Sequence, residues 1–316
     1  MAEPVILPLA EGREHRPVLG YVMVMTAAAL WAVNGAVSKV ILTTGLSSLR
    51  LAEVRSTGAF IILAVALVAV RPEALRLRRS EIPYFLAFGI GGLALVQWFY
   101  FLAIHRLAIG VALLIEYLAP LLVALWARFA YHDPVRRRIW AALGLALAGL
   151  ALIVNLFGGG ASLSTAGVLF ALGGAFAYAL YVLLAEHVVG GRDPVSLLAW
   201  GFFFTSVFWA VLVPWWTFPR HALTDSTSLH GHLHAVTLPV WALAAWMIVL
   251  GTIVPFFLLV SALRHLSATR VGIVAMLEPV AGALIAWIWL AEGLGGVQLV
   301  GAGVVLAAIV LAQTAR

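Results

Sequence analysis

The sequence predicts an all-α integral membrane protein: ten transmembrane helices, arranged as two inverted five-helix repeats around a central cavity. Three observations carry that expectation: the composition, a series of membrane-length apolar runs, and a similarity between the two halves of the chain. Of the 316 residues, 64% are hydrophobic and only 10% are charged, against roughly 25% charged in an ordinary soluble domain. The formal charge of +6 comes mostly from arginines at the ends of apolar runs, where membrane topology is set. Lipid headgroups, and not nucleic acid, are the expected charged partner. There is no cysteine, which excludes disulfides, thiolate metal sites and cysteine nucleophiles together.

The polar residues 1–17 read as a tail. The run that follows, 18–42, is too long for a signal-peptide core and reads as a retained first span. Further runs lie at 48–70, 82–104, 108–131, 139–157, 166–188, 195–217, 239–262, 270–290 and 296–313, each close to the ~20 residues that cross a hydrocarbon core of about 30 Å. "RPEALRLRRSE", "YHDPVRRR", "GGGASLST", "GGRDP" and "RHLSATR" separate them with the Gly, Pro and Arg of surface turns. A β-barrel is excluded, because its strands alternate apolar and polar residues.

Arginine and lysine give the orientation. With the N-terminus inside, the cytoplasmic ends hold Arg13, Arg16, Arg71, Arg76, Arg78, Arg79, Arg128, Arg136, Arg137, Arg138, Arg192, Arg264, Arg270 and Arg316, while the other face holds Lys39, Arg50, Arg55, Arg106 and Arg220. Fourteen against five places both termini in the cytoplasm.

Sliding the chain along itself finds the repeat. At an offset of 159, residues 103–152 lie over 262–311 without a gap, with eleven of fifty positions identical, among them Pro120 on Pro279, and with Asp133 on Glu292. At an offset of 147 the first two helices lie over the sixth and seventh, placing Gly20 on Gly167, Trp31 on Tyr178, Asn34 on Tyr181 and Lys39 on Glu186. The long loop "FPRHALTDSTSLHGHLHAVTL" accounts for the change of offset. Five helices per repeat is odd, so repeats 18–157 and 158–316 are expected to cross the membrane in opposite senses, a pattern of secondary transporters with a site near the midplane.

Two stretches then resemble a known family. "LEPVAGALIAWIWLAEGLGGVQLVGAGVVLAAIVLA" is similar to the C-terminal half of EamA-type proteins of the drug/metabolite transporter superfamily, with Glu278 and Pro279 at the family's Glu-Pro position. "GVALLIEYLAPLLVAL" is similar to the matching helix of its amino-acid exporters, the YddG-type group. The usual Gly-Glu after the ninth helix reads Ala291-Glu292 here. The resemblance implies ten helices in inverted repeats, a central cavity, and export of aromatic and other amino acids across the bacterial inner membrane.

The candidate site follows from depth. Glu116 and Glu278 each lie about 12 Å below the start of their runs at 1.5 Å per residue, where an ionisable group must face the bundle interior and be partnered or protonated. Either can bind a substrate ammonium or carry a coupled proton; the other reading is a structural acid bonded to backbone freed by the nearby proline. The offset of 159 carries Glu116 onto Ala275, so the acids are not mates; Glu116 is the better candidate for substrate or proton, and Glu278 for structure. Pro120 and Pro279 remove a helix hydrogen bond at matching places and read as hinges or gates. Trp31, Asn34, Trp98, Tyr117, Tyr178 and Tyr181 form a candidate aromatic lining for the substrate, although helical spacing suits plain packing as well. Arg55 can reach a substrate carboxylate or snorkel to the surface. His221, His230, His232 and His234 offer only a weak zinc pattern. No motif for ATP hydrolysis or zinc proteolysis is present.

The expectation is a carrier working by alternating access, with no enzymatic activity and no cofactor or metal. It acts as a monomer on small molecules, among membrane lipids. A carrier of drugs or other metabolites, and a passive channel-like facilitator of the same fold, stand as alternatives, and energy coupling is not readable.

Overall fold

A computed structural model describes residues 16–107, 109–132, 135–154, 156, 164–189, 192–219, 221–291, 293 and 295–314. The tail up to residue 15, Asp133, Arg220, Glu292 and Arg316 lie outside the described residues, so the expected match of Asp133 with Glu292 does too. The long helices are α1 (Pro17–Leu42), α2 (Ser48–Val70), α3 (Arg79–Ile104), α4 (Val111–Phe129), α5 (Arg137–Ile153), α6 (Thr165–Val188), α7 (Pro194–Leu212), α8 (Val240–Ala262), α9 (Ala268–Ile288) and α10 (Gly296–Gln313). Among the described residues, nine of these are long and apolar enough to cross a membrane. The exception is α5, whose 17 residues span about 25 Å.

Local chemistry sets the helix starts. Pro17 and Pro194 occupy first-turn positions, where the missing N–H costs nothing. Ser47, Ser164 and Asp193 accept hydrogen bonds from the N–H groups of Arg50, Gly167 and Ser196, satisfying donors that the first turn leaves open. Between α7 and α8 the chain forms an unforeseen antiparallel pair, β1 (Ser226–Ser228) and β2 (Thr237–Pro239). This hairpin is tied to the ends of α1 and α9: His230 Nε2 lies 3.1 Å from the Thr43 hydroxyl, His232 Nδ1 lies 2.8 Å from the Ile288 carbonyl, and Trp289 Nε1 donates to the Leu229 carbonyl. His230 and His232 are spent on these contacts, and no group of metal-ligating side chains occurs among the described residues.

Large apolar side chains face outward, including Val65, Val68, Leu169, Val211 and Trp287. In a membrane protein that surface meets lipid tails, so helix contacts must come from close packing, not from burial against water. Glycines provide it: a Cβ on Gly149 would lie 2.8 Å from the Gly301 carbonyl oxygen, and one on Gly301 would lie 2.6 Å from that of Gly149. The backbones of α5 and α10 therefore touch.

Four further glycines make contacts between the halves. Gly20 of α1 abuts His265 and Leu266, and Gly167 of α6 abuts Arg106 and Leu107. Gly92 of α3 lies against Tyr181 of α6, and Gly251 of α8 lies against Asn34 of α1. The offsets of 147 and 159 turn the first contact into the second and the fourth into the third, residue for residue.

Helix irregularities fall in matched places as well. α3 widens to a π-helix over Ala87–Ala94, and α8 does so over Val249–Ile253, the kind of local bulge found at functional sites. α4 is interrupted at Tyr117 and Leu118, and α9 at Met276, each within one turn before Pro120 or Pro279. Proline lacks the N–H that would bond the carbonyl four residues back, so the carbonyls of Glu116 and Ala275 lose their helical partners.

Candidate functional site

The two interruptions bring their side chains together. The Tyr117 hydroxyl donates to Glu278 Oε2 at 2.8 Å, joining α4 to α9 across 161 residues of chain. Glu278 also acts electrostatically on Glu116, Tyr100, Tyr178 and Arg55. The acids, Tyr100, Tyr178 and Arg55 are half-buried, while Tyr117 is buried. α2, α3, α6 and α9 each place one polar group at this locus, and α4 places two, Glu116 and Tyr117.

Glu116 and Glu278 are held differently. No hydrogen bond or ion pair fixes Glu116 among the described residues, and its Oε2 lies 3.8 Å from where a Cβ on Gly174 would stand. The small residue on α6 leaves room beside the carboxyl. Glu278 was expected to bond freed backbone; it accepts from a tyrosine hydroxyl instead, because the break in α4 turns Tyr117 toward α9.

An aromatic chain extends from this locus. The rings of Tyr178 and Tyr181 stack with centroids 6.2 Å apart, Tyr181 meets Phe256 at 5.7 Å, and Phe256 meets Trp31 at 5.2 Å. Tyr181 and Asn34 are buried in the glycine contacts, and both the Tyr181 hydroxyl and Asn34 Oδ1 are buried with no hydrogen-bond partner. Trp98 stands apart from this chain, against Phe208 of α7 at 5.3 Å. The reason is its place on α3, two residues before Tyr100: side chains two apart on a helix do not share a face.

Sequence reasoning missed one member, Tyr100, passed over within the run "WFYF", and left Arg55 between a substrate carboxylate and snorkelling. The Arg55 Nε is buried without a hydrogen-bond partner. Its depth was the available signal, since it lies seven residues past the start of α2 while Glu116 lies five past the start of α4. Arg50 and Glu53, one turn earlier, pair with each other at 2.7 Å, and Arg50 also donates to the Val213 and Pro214 carbonyls and to Thr217, which locks α2 to the end of α7. Lys39 and Glu186 do not come to one place: Glu186 accepts from the Ala268 N–H, and Lys39 lines a small hollow with Thr43 and His230.

Membrane-length helices with paired acids, tyrosines and one arginine at mid-depth define a polytopic membrane transporter. The chain belongs to the EamA-like transporter family, which matches residues 18–155 and 165–314. The threonine/homoserine exporter RhtA of Escherichia coli (strain K12) is 26% identical over 264 residues, covering 84% of this chain and 79% of that protein. The protein PecM of Dickeya dadantii (strain 3937) is 25% identical over 67% of each chain. A solved crystal structure of a protein at 19% identity superposes with a TM-score of 0.74 over 93% of this chain and 96% of that one, a likeness of fold alone.

Proposed function

We propose that this protein is a secondary transporter that exports amino acids, aromatic and other, or related small amphipathic metabolites across the bacterial inner membrane by alternating access. In this reading ten spans form two inverted repeats, 18–157 and 158–316, and both termini are cytoplasmic. The matched glycine contacts, π-segments and helix breaks support that symmetry, and α5 supplies the remaining span. The observation that carries the function is the meeting of Glu116, Tyr117, Tyr178 and Glu278 beside two broken helices, because mid-membrane acids are costly and persist where a pathway uses them.

The substrate lies between the acids and the aromatic chain of Tyr178, Tyr181 and Trp31, with Glu116 nearest its ammonium or a coupled proton; Asn34 and Trp98 border the path. Pro120 and Pro279 are the hinges, since each break lets one part of its helix tilt without disturbing the other. The likeness to a threonine/homoserine exporter supports amino acids over larger drugs.

The test is counterflow in proteoliposomes, with tritiated amino acids offered as a panel. Saturable uptake stimulated by internal unlabelled substrate is expected. A flux that stays linear with concentration, or none for any amino acid, overturns the reading.

A further inference from the structure

Arg55 is the one charged group at this locus that the proposed transport scheme does not use. It stands seven residues beyond the first residue of α2, Ser48, about 10 Å along the axis at 1.5 Å per residue. An arginine at such depth ordinarily turns its head to the interface or pairs with an acid. Arg55 pairs with no acid: no hydrogen bond or ion pair reaches it among the described residues, and its Nε is buried without a hydrogen-bond partner. Glu278 senses its charge without contact.

Glu278 itself is already oriented, by the Tyr117 hydroxyl at 2.8 Å. That bond uses one carboxylate oxygen and leaves lone pairs on the other. A guanidinium and a carboxylate that influence each other across a gap wider than an ion pair suit a ligand carrying the opposite pair of charges. The planar fork of arginine matches a carboxylate through two parallel N–H groups, and a carboxylate accepts from an ammonium. Free α-amino acids carry both groups on one carbon, which is the compact dipole such a gap would take.

We infer that Arg55 and Glu278 are the two poles of one headgroup site, in which Arg55 receives the substrate carboxylate and Glu278, steered by Tyr117, receives the α-ammonium. This assignment rests on the proposed amino-acid carrier and names what that carrier reads: the zwitterionic headgroup, with the side chain left to the aromatic residues. A zwitterion adds no net charge, so the headgroup is held whatever the state of Glu116, which stays available for a proton.

The experiment is competition against counterflow of tritiated L-threonine and L-phenylalanine by the unlabelled amino acid, by its carboxamide, which lacks the carboxylate, and by its N-acetyl derivative, which lacks the ammonium. For the wild type both derivatives should compete at least tenfold more weakly than the parent. In Arg55→Gln the parent should weaken about tenfold, to the level of the carboxamide, while the carboxamide itself is unchanged. Arg55→Lys, which keeps the charge and loses the fork, should retain part of the preference for the parent, and a thermal-unfolding trace in detergent reports whether each variant folds. A Gln variant that weakens parent and carboxamide alike, or a folded Lys variant with no preference left, overturns the assignment, as does collapse of both variants, which would make Arg55 a scaffold residue. Absence of any amino-acid counterflow in the wild type fails the carrier reading instead, and this assignment with it.

Discussion

In α4 the helix breaks at Tyr117 and Leu118, and the neighbouring carboxyl, Glu116, has no hydrogen bond among the described residues; in α9 the break falls at Met276, and the neighbouring carboxyl, Glu278, is gripped by the Tyr117 hydroxyl. The backbone event is shared and its cause is shared, a proline three residues past the break at Tyr117 or Met276. The side chains are not: Glu116 aligns with Ala275, and Glu278 with Ala119. Two helices broken in the same way thus present one loose acid and one fixed acid. Matched backbones suit a device with two equivalent motions, while unmatched side chains suit a ligand that is itself unsymmetrical.

The largest expected effect breaks this comparison on the side of the loose acid. Glu116→Gln should abolish proton-driven accumulation, by tenfold or more, while sparing counterflow, which needs no proton; unchanged accumulation would remove Glu116 from coupling. Next in size are the matched glycines. Gly92→Ala and Gly251→Ala should each destabilise the folded protein by about 1–3 kcal/mol through overpacking. Gly92→Ala should cost more, because its new Cβ meets the Cα and Cβ of Tyr181, whereas Gly251→Ala meets the Asn34 amide, which can rotate away. Thermal unfolding in detergent measures both, and two values near zero would mean that the halves do not touch there.

Tyr117→Phe sharpens the contrast on the side of the fixed acid. Losing one hydrogen bond to a carboxyl is worth about 1 kcal/mol, so apparent affinity should fall roughly fivefold in counterflow with the maximal rate kept. A fall in rate alone would show that Tyr117 serves the motion instead of the site. The smallest effect is a control: Gly144→Ala and Gly303→Ala, equivalent positions facing open space, should leave the unfolding midpoint nearly unchanged, within about 0.5 kcal/mol.

The legibility of the fold varied with the physics behind each feature. Apolar length gave the spans, and its limit shows at α5, which ends at Ile153, four residues before the end of its run, and at α7, which ends at Leu212, before the Pro214 that still lies inside its run. Pro120 and Pro279 marked the breaks because a missing N–H acts locally. The π-segments had no such mark: Gly89, Gly91 and Gly92 permit the widening in α3, yet packing against Tyr181 and Gly201 decides where it falls. Depth alone marked Glu116 and Glu278, whereas Trp98 was chosen by residue type and packs against Phe208 of α7.

By itself, then, the amino-acid sequence determined what chain-local forces settle: membrane-length apolar helices, their caps, their proline breaks, and the two acids too deep to be incidental. Only the tertiary structure decided which of these meet. Tyr117 reaches Glu278 across 161 residues, Arg55 acts on the same acid without contact, and the cross-half glycine contacts seat Asn34 and Tyr181. Such pairings depend on how one helix is rotated against another, and in a lipid setting that rotation is fixed by close packing of small residues, a property of two surfaces that neither helix carries alone.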